Sequence, residues 1–303
     1  MELKPAKRQK IKVPIMFTGA SGSGKTLSAL ILAKGLVERM FPDMPEEQQW
    51  QKVALIDSEH ERALLYANTT IGETNIGEFQ HLDLKAPFTV ERYRQAFAIC
   101  KQAGCEVIVI DSLSHAWSGE GGILEVVSRM GGSMQSWNKV KPLEKEFLRL
   151  VTESDVHVIA TTRSKQGYDF QKNDVGKTEV VKVGLKPDQK DTLEFEFAIC
   201  FMVDQNHVAT ATKDNSNMFS QSAMITPEIG HKIYDWAEIG IDVKGEERKL
   251  RVQLISSINQ LVASSEPAKI KYDELSFKMN RTPLESWSTD LLDRANKIIK
   301  GEI

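Results

Sequence analysis

The chain has 303 residues, 41% of them hydrophobic, which is enough for one large domain or for a core with an appendage. Its net charge of −3 provides no overall basic field for nucleic acid. No apolar run approaches the roughly 18 residues of a membrane span, and the first one lacks a signal-peptide cleavage site. The three cysteines form no CxxC pair, which is typical of unpaired thiols, so we expect a cytoplasmic protein that does not contact a membrane.

Residues 1–12 carry five basic residues and one acidic residue, and we predict a solvated N-terminal arm. From Val13 to about Thr212, short apolar runs alternate with helical patterns. The runs lack a period-2 polar face, which favours an α/β fold with a mostly parallel sheet covered by helices on both faces. The predicted strands are Val13–Thr18, Val53–Asp57, Phe79–Leu82, Val107–Asp111 and Val156–Thr161, and the predicted helices are Thr26–Met40, Val90–Ala103 and Lys139–Ser154.

The pattern changes towards the C terminus. Glu196–Val203 and His207–Thr212 flank a polar tripeptide and predict an antiparallel hairpin at the end of the sheet. From Pro227 onward the pattern is helical, so we predict a core at 13–240 and a small helical C-terminal extension at 241–303. Its apolar stripes are expected to pack onto the core or a neighbouring subunit; they comprise Leu250, Leu254, Ile258 and Leu261, and a similar series in Leu284–Ile299.

Positions 19–26 read GASGSGKT, a complete G-x-x-x-x-G-K-[ST] phosphate-binding loop between the first predicted strand and helix. The glycines let successive N–H groups face an anion, and the helix directs its positive end at a phosphate. Lys25 can reach the β- and γ-phosphates, and the Thr26 hydroxyl is the usual Mg²⁺ ligand of such loops. The alternative, a Gly-rich turn that binds nothing, is disfavoured by the complete spacing. We therefore predict that ATP and Mg²⁺ bind at Gly19, Ala20, Ser21, Gly22, Ser23, Gly24, Lys25, Thr26 and Leu27.

A second element, Val107–Asp111, is an apolar strand that ends in a carboxylate, which predicts a second group near Mg²⁺. Hydrolysis also requires a carboxylate that orients the attacking water. The residue after Asp111 is Ser112, so the best candidate is Glu59, which follows the strand Val53–Asp57. Parallel strands end at the same edge of a sheet, where Glu59 could face the γ-phosphate. It could equally be an exposed residue opening the next helix, and the residues alone do not decide.

These segments carry a resemblance. Ile56-Asp57-Ser58-Glu59-His60 and Val107–Ser112 resemble bacterial RecA recombinase, in which I-D-A-E-H supplies the catalytic Glu and V-D-S ends the metal-binding strand. The closer resemblance, over about Val13–Ala237, is to phage-encoded, core-only RecA-like P-loop ATPases, one group of which acts in single-strand annealing. This resemblance implies that Glu59 orients the attacking water. It also implies that the protein acts in the cytoplasm of a bacterial host, if the chain is phage-encoded. Its other motifs are Thr162–Lys165, Lys182–Pro187, Glu194–Phe197 and Ala211–Asp214.

The chain departs from RecA after the strand Val156–Thr161. RecA has an Asn-Gln pair there, and its Gln senses the γ-phosphate, so sensing here would pass to Thr162 or Arg163 or be lost. The resemblance also implies that Lys213 reaches the nucleotide of a neighbouring subunit in a ring or filament of identical chains. The alternative for Lys213 is a surface lysine in a turn. RecA's own C-terminal DNA-binding domain has no visible counterpart.

In RecA, two mobile loops hold single-stranded DNA, and they correspond here to about His115–Gln135 and Arg163–Leu193. From Arg163 to Lys190, seven basic residues oppose four acidic ones, so the segment is locally +3. Cations of this kind suit a phosphate backbone, although a solvated hairpin or a subunit contact is the alternative. The predicted nucleic-acid residues are Arg129, Arg163, Lys165, Lys172, Lys177, Lys182, Lys186 and Lys190.

The sequence thus predicts an oligomeric, RecA-like ATPase with Lys25, Glu59 and Lys213 as catalytic residues. It would act on single-stranded DNA in phage recombination, single-strand annealing or replication, beside a single-strand-binding protein. One alternative is a helicase-like or packaging motor. Another is a switch whose ATP sets only its oligomeric state.

Overall fold

The computed structural model describes residues 3, 5–172, 178–190 and 192–302, with backbone alone at 165–172, 178–187 and 244. The chain divides into two compact units, one of Ile11–Glu238 and one of Met1–Lys10 with Ile239–Ile303. Within the described ranges, no helix is long and apolar enough to cross a membrane. The predicted three-way division of the chain stays a prediction.

The larger unit is built on a mixed sheet. Eight strands follow the order β11-β10-β9-β1-β7-β6-β2-β5, and β8 pairs with β7 outside this path. The strands of the described residues are β1 Pro14–Gly19, β2 Val53–Asp57, β3 Thr69–Ile71, β4 Thr74–Ile76, β5 Gln80–Asp83, β6 Val107–Asp111, β7 His157–Lys172, β8 Thr178–Pro187, β9 Ile199–Val203, β10 Val208–Asp214 and β11 Ala223–Met224.

Neighbouring strands from β9 to β5 along this path run parallel, as predicted, whereas β10 and β11 are antiparallel to their neighbours. The predicted bounds of β2 and β6 agree with the structure, because continuous apolar runs are buried on both faces. The predicted hairpin forms from β9 and β10, but β9 begins at Ile199 because Leu193–Glu196 forms a 3-10 helix. The strands β3 and β4 form a separate two-stranded ribbon.

Helices cover both faces of this sheet. Alternate residues of each central strand enter two different cores: Ile15 and Phe17 lie in one, and Met16 lies in the other. This confirms the predicted α/β fold, in which a parallel sheet is covered on both sides. Among the described residues, the helices of the larger unit are α1 Lys25–Met40, α2 Glu46–Trp50, α3 Val90–Gln102, α4 Ser114–Ser118, α5 Ile123–Arg129, α6 Met134–Thr152 and α7 Pro227–Ala237, with a further 3-10 helix at Arg62–Tyr66. Those of the smaller unit are α8 Val243–Ser264, α9 Glu266–Lys278 and α10 Thr289–Lys300, with a 3-10 helix at Leu284–Ser286.

The two predicted DNA loops have more regular structure than expected. His115–Gln135 contains most of α4, all of α5 and the start of α6, which begins five residues before the predicted Lys139. Ser133 caps that helix, since its Oγ accepts a hydrogen bond from the Ser136 N–H at 3.2 Å. In Arg163–Leu193, the backbone of β7 continues to Lys172 and pairs with β8 as an antiparallel hairpin. The first segment is therefore helical where a loop was expected, and the second forms a hairpin, the alternative that the sequence left open.

The smaller unit has a helical core of its own. Leu254 and Ile258 of α8 are buried against Trp287 and Leu292. Leu250, by contrast, is 44% exposed, so the predicted stripe is only partly correct. Within this unit, the Ile241 N–H donates to the Arg8 carbonyl at 2.9 Å, and the Lys10 N–H donates to the Ile241 carbonyl at 3.0 Å. The end of the basic arm is thus an ordered part of the unit and not a free extension.

Candidate nucleotide-binding and hydrolytic site

The phosphate-binding loop joins the end of β1 to the start of α1. Gly22 and Gly24 adopt positive φ angles of 82° and 89°, a conformation that favours glycine. The Lys25 Nζ donates hydrogen bonds to the carbonyl oxygens of Gly19 at 2.9 Å and Ala20 at 2.8 Å. Burial lowers the pKa of Lys25, although the charges of two nearby carboxylates oppose this effect. The lysine therefore lies inside the loop and close to acidic groups.

The predicted metal-binding residues meet at one point. The Thr26 Oγ1 donates to the Asp111 Oδ2 at 2.5 Å, and the Thr161 hydroxyl donates to the Asp111 Oδ1. Burial raises the pKa of Asp111, and the two hydroxyl donors offset only part of that effect. A carboxylate beside a hydroxyl oxygen is the type of ligand set that Mg²⁺ prefers. Thr26 and Asp111 therefore fit the ion predicted for this loop.

Glu59 lies at the same edge of the sheet, with a side chain only 15% exposed. Its Oε1 accepts hydrogen bonds from the Ser112 Oγ at 2.9 Å and the Arg163 Nε at 2.7 Å, and its Oε2 accepts one from the Arg163 Nη2. Burial alone would raise the pKa of Glu59, but these hydrogen bonds outweigh it and the net pKa is below the usual value. Glu59 is thus an ionised group that faces the site, and its catalytic role stays a prediction.

Four polar residues that the sequence analysis did not single out support Glu59. The Glu59 N–H donates to the Asp57 Oδ1 at 2.7 Å, and the other oxygen of Asp57 lies 3.2 Å from the His81 Nε2. The Ser58 Oγ lies 2.7 Å from the His115 Nδ1 and accepts a hydrogen bond from the Ser112 N–H at 2.9 Å. Their positions in the sequence could have identified them, because all four lie in or directly after adjacent strands of one sheet, or at the start of the helix that follows.

The two candidate sensors lie in different environments. Thr162 is completely buried, and its Oγ1 has no hydrogen-bond partner within the described part of the chain. Arg163 is half exposed, and its guanidinium forms a two-point ion pair with Glu59. The Arg163 N–H is fixed by the Ser114 Oγ at 2.9 Å. The structure brings Arg163 to the carboxylate that would orient water.

Lys213 lies on β10, and its ammonium group is bonded within its own chain. It donates to the carbonyl oxygens of Phe195 at 2.6 Å and Glu194 at 3.3 Å. Neither of these carbonyls belongs to the phosphate-binding loop. The predicted contact with a neighbouring subunit's nucleotide stays a prediction.

Three predicted nucleic-acid residues are already paired with acidic residues. Arg129 donates to Glu125 at 2.5 Å within α5, Lys190 pairs with Glu144 of α6, and Arg163 pairs with Glu59. Arg129 is 70% exposed, so its ion pair leaves much of the guanidinium accessible. Lys177 lies outside the described residues, and the side chains of Lys165, Lys172, Lys182 and Lys186 do so as well.

Comparison with known proteins agrees with this geometry. A family model described as an AAA domain matches residues 11–222, which is more than half of the chain. The match includes the phosphate-binding loop, Glu59, Asp111 and Arg163. A search of curated proteins found no match. AAA domains are ATPase domains, which supports nucleotide binding and hydrolysis in general. The chain belongs to this AAA-domain family of P-loop ATPases.

Proposed function

We propose that this protein is a RecA-like ATPase that hydrolyses ATP at the carboxyl edge of its sheet and acts on single-stranded DNA. The observation that supports hydrolysis best is the position of Glu59. Its ionised carboxylate lies beside Ser112, the residue after Asp111, and its charge acts on Lys25 of the phosphate-binding loop. The Glu59 carboxylate, the Ser112 hydroxyl and the Lys25 ammonium group thus converge where the γ-phosphate of a bound ATP would lie.

Each group has a role in this proposal. The loop amides and Lys25 hold the phosphates. Thr26 and Asp111 would hold Mg²⁺, which would supply positive charge next to the transferring phosphoryl group. Glu59 orients the attacking water and accepts its proton. To do so it must release at least one oxygen from Arg163, since the guanidinium covers both. The ion pair therefore represents a resting arrangement of the site.

The DNA-binding part of the proposal rests on the hairpin of β7 and β8. Arg163 lies at its base, where the Asp188 N–H donates to the Arg163 carbonyl at 2.6 Å. Four further basic residues of the +3 segment follow on these two strands: Lys165, Lys172, Lys182 and Lys186. A phosphate backbone bound there would draw Arg163 away from Glu59 and release the carboxylate. DNA would thus stimulate hydrolysis.

Finer assignments belong to the same proposal. The protein would work as a ring or filament of identical chains, with Lys213 reaching the nucleotide of the adjacent subunit. It would serve recombination, single-strand annealing or replication in the cytoplasm of a bacterial host. A single-strand-binding protein would be its partner on DNA.

The test measures ATP binding and hydrolysis, with and without single-stranded DNA, for wild type, Lys25→Ala and Glu59→Gln. We expect Lys25→Ala to lose nucleotide binding, and Glu59→Gln to bind ATP but hydrolyse it at least about 100-fold more slowly. Glu61→Gln is the matched control, because it neutralises an exposed carboxylate two residues away.

The outcomes separate the parts of the proposal. If the protein hydrolyses ATP but binds no DNA at low salt, whichever nucleotide is present, the DNA-binding function is contradicted and the ATPase activity stands. Directional movement on DNA would favour a motor. Tight ATP binding with negligible hydrolysis that Glu59→Gln leaves unchanged would favour a switch.

A further inference from the structure

The turn between β9 and β10, residues 204–207, packs against the phosphate-binding loop. Since β9 is the parallel neighbour of β1, both strands end at the same edge. The two chains approach closely there: a Cβ at Gly24 would lie 2.9 Å from the His207 Nδ1. A side chain at position 24 would therefore meet the imidazole, and the glycine permits this close approach.

This turn is held by hydrogen bonds of its own. The Asp204 Oδ1 accepts hydrogen bonds from the Asn206 N–H at 2.8 Å and the Val208 N–H at 2.9 Å. The His207 N–H donates to the Asp204 carbonyl at 3.1 Å, and His207 adopts a positive φ of 65°. The backbone that carries the imidazole is thus fixed by hydrogen bonds within the turn itself.

Two side chains of the turn reach carbonyl groups of the loop. The His207 Nδ1 lies 2.9 Å from the Ser23 carbonyl oxygen, and the Gln205 Nε2 donates to the Ser21 carbonyl at 3.4 Å. A carbonyl oxygen only accepts hydrogen bonds, so the His207 Nδ1 must carry the proton. The contact of His207 is the shorter of the two and is therefore the stronger hydrogen bond.

These contacts determine where the loop amides point. In a trans peptide, the carbonyl and the next N–H point in opposite directions. Holding the Ser23 carbonyl on the turn therefore directs the Gly24 N–H away from it, and the Ser21 contact does the same for the Gly22 N–H. Both N–H groups belong to the segment that would face an anion. Fixing them before binding reduces the ordering cost of that step.

We propose that His207, assisted by Gln205, is a positioning residue that preorganises the phosphate-binding loop. The inference rests on the proposed nucleotide-binding function. In this proposal the turn between β9 and β10 also determines nucleotide affinity, although His207 lies 184 positions from Ser23 in the sequence. Removing the donor raises the cost of ordering the loop but leaves Glu59 and Asp111 in place, so binding weakens while the chemical step persists.

The experiment compares wild type with His207→Ala, His207→Asn and Asn206→Ala, measuring the Kd for ATP and, separately, kcat and KM. One hydrogen bond contributes about 0.5–1.5 kcal/mol, so we expect His207→Ala to raise Kd and KM about two- to twelvefold, with kcat within about twofold. His207→Asn should restore binding, because its amide nitrogen occupies the place of Nδ1 and Asn tolerates positive φ. Asn206→Ala is the control, since Asn206 contributes only a backbone N–H to the turn in the described structure.

Thermal unfolding without nucleotide identifies any variant that fails to fold, and His207→Asn then carries the test. A Kd for His207→Ala equal to that of wild type would overturn the inference, as would an equal loss in His207→Asn and His207→Ala. Wild-type protein that binds ATP without hydrolysing it would contradict the proposed hydrolysis, but the Kd comparison would still decide on His207. Wild-type protein that binds no ATP would overturn both.

Discussion

The parallel sheet buries titratable side chains both where its strands end, at the carboxyl edge, and where they begin, at the amino edge. The surroundings of these side chains differ between the two edges. At the carboxyl edge, Asp111 and Glu59 lie near Lys25 and Arg163, in a group of charges that faces the phosphate-binding loop. At the amino edge, His157 begins β7 and is completely buried. Its Nδ1 accepts a hydrogen bond from the Val13 N–H at 3.2 Å. One edge gathers charges, whereas the other buries a neutral ring.

This difference shows that a shifted pKa does not by itself indicate a functional site. Burial, and after it the positive charge of Lys12, lowers the pKa of His157 to about 3. Yet its Nε2 has no hydrogen-bond partner within the described residues, and no opposite charge faces it there. At the carboxyl edge, several shifted groups converge on one place. We expect changes at the carboxyl edge to affect hydrolysis, and changes at the amino edge to affect stability.

The largest effect should come from Asp111→Asn. Loss of the carboxylate removes a predicted Mg²⁺ ligand, so we expect hydrolysis to fall at least about 100-fold while the free energy of unfolding changes little. The measurement is phosphate release across a Mg²⁺ titration, together with thermal unfolding. Asp83→Asn is the matched control, since Asp83 ends β5, two strands away from β6 in the same sheet, and pairs with Lys85 at 2.8 Å. Equal losses in the two variants would contradict the assignment of Asp111.

A smaller effect is expected from acid at the amino edge. The pKa of His157 is lower in the folded state, about 3, than the ordinary value of 6.5, so the unfolded chain binds more protons between these pH values. Stability from this group is therefore present above pH 6.5 and is lost as pH falls towards 3. From pH 7 to pH 5, the loss should be about 2 kcal/mol.

Denaturant unfolding of wild type and His157→Asn at both pH values isolates this contribution. The asparagine oxygen can still accept from Val13 N–H but does not titrate, so its unfolding free energy should lose about 2 kcal/mol less on acidification. Parallel losses in the two proteins would show that other groups cause the acid sensitivity. Turnover per folded molecule should be unchanged at pH 7.

The smallest effect concerns the pairing of Glu59 with Arg163. Because the guanidinium lowers the pKa of Glu59, Arg163→Ala should raise that pKa and move the acidic limb of the kcat/KM profile to higher pH. Arg163→Lys should shift the limb less, since it keeps the charge but not the two-point contact. If the acidic limb does not move in Arg163→Ala, the ionisation that limits kcat/KM does not belong to Glu59.

Several elements of the fold could be predicted because their signals are local. The bounds of β2 and β6 follow from apolar runs that end in Asp57 and Asp111. The helical structure of His115–Gln135 was not predicted, since the resemblance to RecA implied a mobile loop there. In the structure, Gly119 and Gly122 join α4 to α5 through a compact turn, with the Gly122 N–H donating to the Gly119 carbonyl at 2.9 Å.

The phosphate-binding loop can be identified from the amino-acid sequence alone, because eight consecutive residues supply the glycines, the lysine and the hydroxyl that an anion and its metal need. Which distant side chains act on this loop depends instead on the tertiary fold. Glu59 meets Arg163 across 104 positions, and the Ser23 carbonyl meets His207 across 184. Such pairs form because parallel strands bring their carboxyl ends to one edge, and their order in the sheet is not a local property of the chain.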